Sequence, residues 1–231
     1  MSQHSTYVAF AASDHLHNTT DHFIKHMQSS GARPDPAAIE EIMTTFMRES
    51  LDSFMIKPAR LAELSPGLMR IVTFTTETIT KASSVVVRST VKKLNLQQNR
   101  DIAAYMDSIR HPFDGTWHVG FPISPELANV AYEGFHMAID GHKDQAMPTM
   151  INFFHRLTDI SMYWYFEEPL RLLRLGPILR KVADVGIATT RKATHTVIDS
   201  VITKLDDDQA RIAAEYAMSL LKNGPYTEDI R

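Results

Sequence analysis

The stretch that decides the fold runs from Pro58 to Ser108, PARLAELSPGLMRIVTFTTETITKASSVVVRSTVKKLNLQQNRDIAAYMDS. Sliding the chain against itself by 111 residues lays it, without a gap, on Pro169–Ser219, PLRLLRLGPILRKVADVGIATTRKATHTVIDSVITKLDDDQARIAAEYAMS. Of the 51 aligned positions 18 are identical, far more than chance supplies. Pro58, Arg60, Leu61, Leu64, Pro66 and Leu68 meet Pro169, Arg171, Leu172, Leu175, Pro177 and Leu179, and Gln98, Arg100, Ala103, Tyr105 and Ser108 meet Gln209, Arg211, Ala214, Tyr216 and Ser219. A one-residue change of offset carries the match upstream, where His26, Met27 and Gly31 fall on His136, Met137 and Gly141. The period is longer than that of a solenoid and two copies are too few for one. The reading is an internal duplication about a pseudo-two-fold axis.

Outward from this stretch, helical signals follow one another. Ser13 is an N-cap for a helix from Asp14 to Ser30, with Gly31 as its stop, and Ser124-Pro125 opens the partner helix that ends at Gly141. Asp35-Pro36 opens a second helix, in which Ile39, Ile42, Met43, Phe46, Met47, Phe54 and Met55 recur at three- and four-residue spacing. Pro58 is expected to stop it; its partner is expected from Pro148 to Glu168, ahead of Pro169. Ser65-Pro66 begins the longest helix, to about Leu94, roughly 40 Å at 1.5 Å per residue. The fourth helix starts after Asn95 in one copy and at Asp206 in the other, where Asp207 and Asp208 suit the helix dipole. It ends before Pro112 and at Asn223-Gly224-Pro225, respectively. Strand signals are nearly absent, so the fold class expected is all-α: an eight-helix assembly of two four-helix units sharing one core. The units are residues 1–110 and 124–231, joined by an aromatic linker over 111–123 that carries Phe113, Trp117 and Phe121.

Composition removes several function classes. The net charge of −3 and pI near 6.4 leave no basic footprint for nucleic acid. The chain has no cysteine, which excludes disulfides and thiolate chemistry and fits a reducing compartment. No charged start and long apolar run marks a secretory signal, and no window approaches the roughly 18 apolar residues of a membrane span, so the cytoplasm is the location expected. Glycine-rich phosphate loops and the Gly-x-Ser-x-Gly elbow are absent.

Three features carry candidate chemistry. The run Tyr163-Trp164-Tyr165-Phe166 stands opposite Asp52-Ser53-Phe54-Met55, so one copy gains rings where the other is polar. Rings pointing all round a helix belong in a core or an interface, and the run reads as an inter-copy core, a dimer interface or the wall of an apolar pocket. With Trp117 and Met137 it forms the candidate ligand-binding set, a reading helped by the chain's 12 adaptable methionines. His26, Glu133 and His136 form the candidate metal set: Glu133 and His136 have the spacing of carboxylate-bridged di-iron bundles, and His26 is the pseudo-equivalent of His136. The set is incomplete, since Phe23 and Thr44 stand where Glu133 and His155 would be matched, and no cofactor is expected. His22 with His26, and His155 with Asp159, are further pairs four residues apart. Arg60 and Arg171, in the repeated Pro-x-Arg-Leu turn, are expected to bond helix-closing carbonyls.

The leading functional expectation is a non-enzymatic helical protein binding a hydrophobic small molecule or acyl chain. The alternatives are a protein-interaction or self-assembly module, forming a homo-oligomer through the aromatic helix, and a His/carboxylate metal-dependent enzyme. In composition alone the long Thr-rich amphipathic helices resemble those of phasins, the granule-coating proteins, a resemblance that implies a lipid-surface variant of the first reading.

Overall fold

The computed structural model describes residues 4–225 and 227. It is mostly helical, in broad agreement with the all-α class expected, and it adds a small four-stranded sheet that was not expected. The elements run β1 (His4–Ala11), α1 (Asp14–Gln28), α2 (Pro36–Leu51), α3 (Lys57–Leu61), α4 (Pro66–Val91), α5 (Leu96–Ser108) and β2 (Arg110–Phe113). There follow β3 (Thr116–Ile123), α6 (Pro125–Ile139), α7 (Lys143–Met162), α8 (Glu168–Leu172), α9 (Pro177–Val201), α10 (Asp207–Ser219) and β4 (Leu221–Pro225).

The expected aromatic linker is a β-hairpin. Asp114 and Gly115 both take positive φ, 51° and 75°, the two-residue turn whose twist matches the flanking strands β2 and β3. The strand order is β2-β3-β1-β4, antiparallel throughout. The apolar stretch at Tyr7–Ala12 is therefore mostly strand, with Val8 and Phe10 joining Val119, Phe121 and Ile123 in the main core. Tyr7, Ala9 and Phe113 pack together on the opposite face. Gly120 sits where β3 crosses β1; a Cβ there would lie 2.6 Å from the Val8 carbonyl oxygen and 2.5 Å from the Ala9 Cβ, so only glycine fits.

Most helix starts follow the caps in the sequence. Ser13, Asp35, Ser65 and Ser124 each accept a backbone N–H three residues on, and Asn95 with Gln98 and Asp206 with Gln209 form reciprocal capping boxes. At the C-termini Gly141 takes φ 83° as expected, whereas α1 stops at Gln28, with the Ser29 hydroxyl on the His26 carbonyl, before Gly31 is reached. Helix α7 begins at Lys143, ahead of Pro148, and Asn223–Pro225 lies in β4 instead of ending a helix.

Neither Pro58 nor Pro169 stops its helix. In each case one wide π turn, Asp52–Ile56 or Tyr163–Glu167, carries the helix past the proline into α3 or α8. Proline clashes with the carbonyl four residues back and offers no N–H; widening the turn relieves the clash. The Lys57 N–H reaches the Asp52 carbonyl and the Glu168 N–H the Tyr163 carbonyl, which leaves the next carbonyls, Ser53 and Trp164, opposite a proline nitrogen. Both receive a tyrosine hydroxyl from a distant helix: Tyr216 donates to Ser53 at 2.9 Å, and Tyr105 donates to Trp164. Helices α3 and α8 then close on Glu63 and Arg174, at φ 48° and 46°. Arg171 bonds Glu168 through Nε at 2.7 Å, not the expected carbonyls. The long helices α4 and α9 run antiparallel: Val72 clusters with Val201, while Gly186 sits against Val86, where a Cβ would lie 2.6 Å from its Cγ2.

Candidate ligand-binding site

A partly open, almost wholly apolar cavity of about 230 Å³ lies between the sheet and the helices. Val8 and Phe121 come from β1 and β3, Phe46 and Phe54 from α2 and its π turn, Phe153 and Met162 from α7, and Val197 from α9. Sheet and helices each present an apolar face to it, which is why the missed strands matter to the site. The cavity exceeds the roughly 150 Å³ apolar hole that holds one benzene ring, and so suits a ligand on the order of ten carbons. Met47, Met55, Met150 and Met162 contribute polarisable, adaptable walls.

A smaller chamber of about 60 Å³ adjoins it, lined by Leu16, His17, Ile42, Tyr105, Arg110 and Trp117 among others. Phe46 and Tyr165 border both spaces, their rings packed edge to face at 4.8 Å. Tyr165 is 7% exposed and its hydroxyl has no hydrogen-bond partner; burial holds that hydroxyl protonated far above its ordinary range. Burial first, then the nearby Glu168 charge, does the same for Tyr105. Arg110 keeps its guanidinium 5.2 Å from the Trp117 ring and donates to Asp107 at 2.8 Å.

The candidate binding residues are therefore divided. Tyr165 and Phe166 line the large cavity, and Trp117 lines the small one with Tyr165. Trp164 stacks on Phe121 at 6.5 Å, and Tyr163 donates to Glu168 at 2.9 Å; neither lines either space. Met137 packs against the core from α6, away from both. Within the chain the aromatic run packs against the core, with Tyr165 buried and Tyr163, Trp164 and Phe166 half-buried. Sequence reasoning missed Phe46, Phe121, Tyr105 and Arg110 as wall residues. Asp114-Gly115 between two apolar stretches was the available signal for the hairpin that brings Arg110, Trp117 and Phe121 in.

The metal candidates are not brought into a binding group. His26, Glu133 and His136 are exposed on α1 and α6, His26 resting on the Arg33 carbonyl at 3.3 Å. Among the described residues no three His, Asp or Glu side chains converge to hold an ion. His155 instead pairs with Asp199 at 2.8 Å and stacks on His195 at 4.4 Å, while Asp159 pairs with Arg191 at 2.9 Å. No helix among the described residues is long and apolar enough to cross a membrane. No family model matches the chain, and neither the curated proteins nor the solved structures contain a match.

Proposed function

We propose that the chain is an internally duplicated helical protein that binds a hydrophobic small molecule or acyl chain and catalyses nothing upon it. The observation that carries the reading is the 230 Å³ apolar cavity, walled by aromatic and methionine side chains. An apolar cavity of this size forgoes dispersion contacts that a ligand restores, since its wall atoms have nothing to touch on one side. The cysteine-free chain fits a cytoplasmic location.

Several correspondences support the duplication. A step of 111 residues carries the donor Tyr105 onto Tyr216 and the acceptor Ser53 onto Trp164, so the two hydrogen bonds, each linking one repeat to the other, are reciprocal. The same step relates the two π turns, the two capping boxes and the left-handed residues Glu63 and Arg174.

The test is titration with the neutral fluorophore N-phenyl-1-naphthylamine, with native mass spectrometry of the untagged protein. Saturable binding at one site per chain, lost on filling the cavity by Ala213→Phe, is the expected result. Absence of saturable binding, or binding indifferent to that substitution in a folded variant, overturns the reading.

A second reading, self-assembly, is favoured by exposed apolar side chains on the two long helices. Phe74 and Val85 on α4 and Ile178 and Val185 on α9 are 70%, 60%, 81% and 60% exposed. A dimer in the native mass spectrum that Phe74→Ser dissolves would support it; a monomer at all concentrations would sink it.

A further inference from the structure

Among the described residues, four buried side-chain polar atoms without a hydrogen-bond partner belong to residues lining the small chamber. They are Arg110 Nε and Nη1, His17 Nδ1 and the Tyr165 hydroxyl. The Arg110 side chain is 8% exposed, so bulk solvent scarcely reaches it. Native interiors pair their buried polar groups, and a guanidinium pairs most strictly because its charge cannot be shed. Four such groups thus belong to side chains that border one otherwise apolar space.

The polarity of the two spaces is graded. A step of 111 residues carries Ile42, Tyr105, Ile109, Arg110 and Tyr165 of the small chamber onto Phe153, Tyr216, Leu220, Leu221 and Phe54 of the large cavity. Related positions thus present Leu221 on one side and a guanidinium on the other. Phe46 and Tyr165 form the partition between them. An apolar trough that ends in a buried cation is complementary to a molecule with an apolar tail and an anionic head.

We propose that the chamber beneath Trp117 takes the carboxylate of a medium-chain fatty acid, with Arg110 as its charged partner, His17 and Tyr165 as further donors, and the tail in the large cavity. The inference rests on the binding function proposed above and adds the head group. A singly charged head fits better than a phosphate for two reasons. Asp107 at 2.8 Å and Asp21 at 3.7 Å already balance part of the Arg110 charge, and about 60 Å³ accommodates two oxygens more readily than a phosphate group. Trp117, 38% exposed and stacked on His17 at 4.8 Å, lies between the chamber and solvent. For the tail to pass, the Phe46 ring must turn aside from Tyr165 by side-chain rotation.

The experiment is calorimetric titration of the full chain at pH 8 with decanoate and, separately, with 1-decanol. The wild type is expected to prefer decanoate by at least about tenfold, the factor one charge-assisted hydrogen bond supplies. Arg110→Met should abolish that preference while leaving 1-decanol affinity within about twofold, the change expected where no pairing with the head is lost. Equal affinities in the wild type, or a preference that survives in Arg110→Met, overturn the head-group assignment and leave the apolar-cavity function standing. Binding of neither compound overturns both. Where circular dichroism shows that Arg110→Met has not folded, Tyr165→Phe takes its place: a severalfold loss for decanoate alone supports the assignment, and equal effects on both compounds refute it.

Discussion

The hydrogen bond from Tyr105 to the Trp164 carbonyl gives the sharpest test of how the fold is held together. Pro169 cannot donate to that carbonyl, and the Glu168 N–H is already committed to Tyr163. Tyr105→Phe removes one oxygen and leaves the carbonyl beside a ring that still excludes water. An unpaired buried acceptor costs about 1–3 kcal/mol. Taking about 2 kcal/mol, and about 2–4 °C per kcal/mol for a chain of this length, the melting temperature should fall by about 4–8 °C. Pro169→Ala returns an N–H to the turn and allows the helix to satisfy its own carbonyl. In that background Tyr105→Phe should cost less than about 1 kcal/mol, a coupling of about 1 kcal/mol. Urea denaturation of the four proteins, followed by far-ultraviolet circular dichroism with unchanged m-values, measures the cycle. An equal cost in both backgrounds, or a cost below about 0.5 kcal/mol in the first, would refute the claim that the tyrosine answers the proline.

Tyr165→Phe removes a hydroxyl that has no partner, so the ligand-free protein should be unchanged or stabilised by up to about 1 kcal/mol, opposite in sign to Tyr105→Phe; a loss above 1 kcal/mol in urea would count against the open chamber. Gly186→Ala should cost about 1–3 kcal/mol by pushing α9 off Val86, and Val86→Ala should recover part of it, read as non-additive melting temperatures. Gly120→Ala meets backbone instead of a side-chain end, so no neighbouring truncation should rescue it. Burial keeps Tyr105 and Tyr165 protonated in the folded protein above pH 10, where tyrosines of the unfolded chain ionise. The unfolded state therefore releases protons first, and stability should be level below pH 10 and fall above it. The slope should approach about 1.4 kcal/mol per pH unit per tyrosine, visible in urea midpoints from pH 9 to 12 and reduced in Tyr105→Phe.

The helices were legible because their signals are local. Ser13, Ser65, Asn95, Ser124 and Asp206 cap within three residues, and the apolar stripe of α2 declares itself over a few turns. The prolines were misread because a proline tells only what its own turn loses. Whether the helix ends or widens depends on a donor from elsewhere, here Tyr105 or Tyr216. The strands were missed for a related reason: short apolar runs such as Tyr7–Ala12 do not distinguish strand from buried helix.

By itself the sequence determined where most helices begin, the length of α4 and α9, and the aromatic excess at Tyr163–Phe166. Tertiary structure alone decided that His4 pairs with Pro225 and Gly120 with Ala9, and so that a sheet exists. It also decided that Arg110 is carried by a hairpin to a chamber bordered by Tyr165, and that Met137, His26 and Glu133 stand outside it. Caps and stripes are satisfied within one or two turns, so neighbours in sequence specify them. The β1–β3 and β1–β4 ladders and the cavities are formed by residues that meet only after the chain has folded back over long stretches of its length.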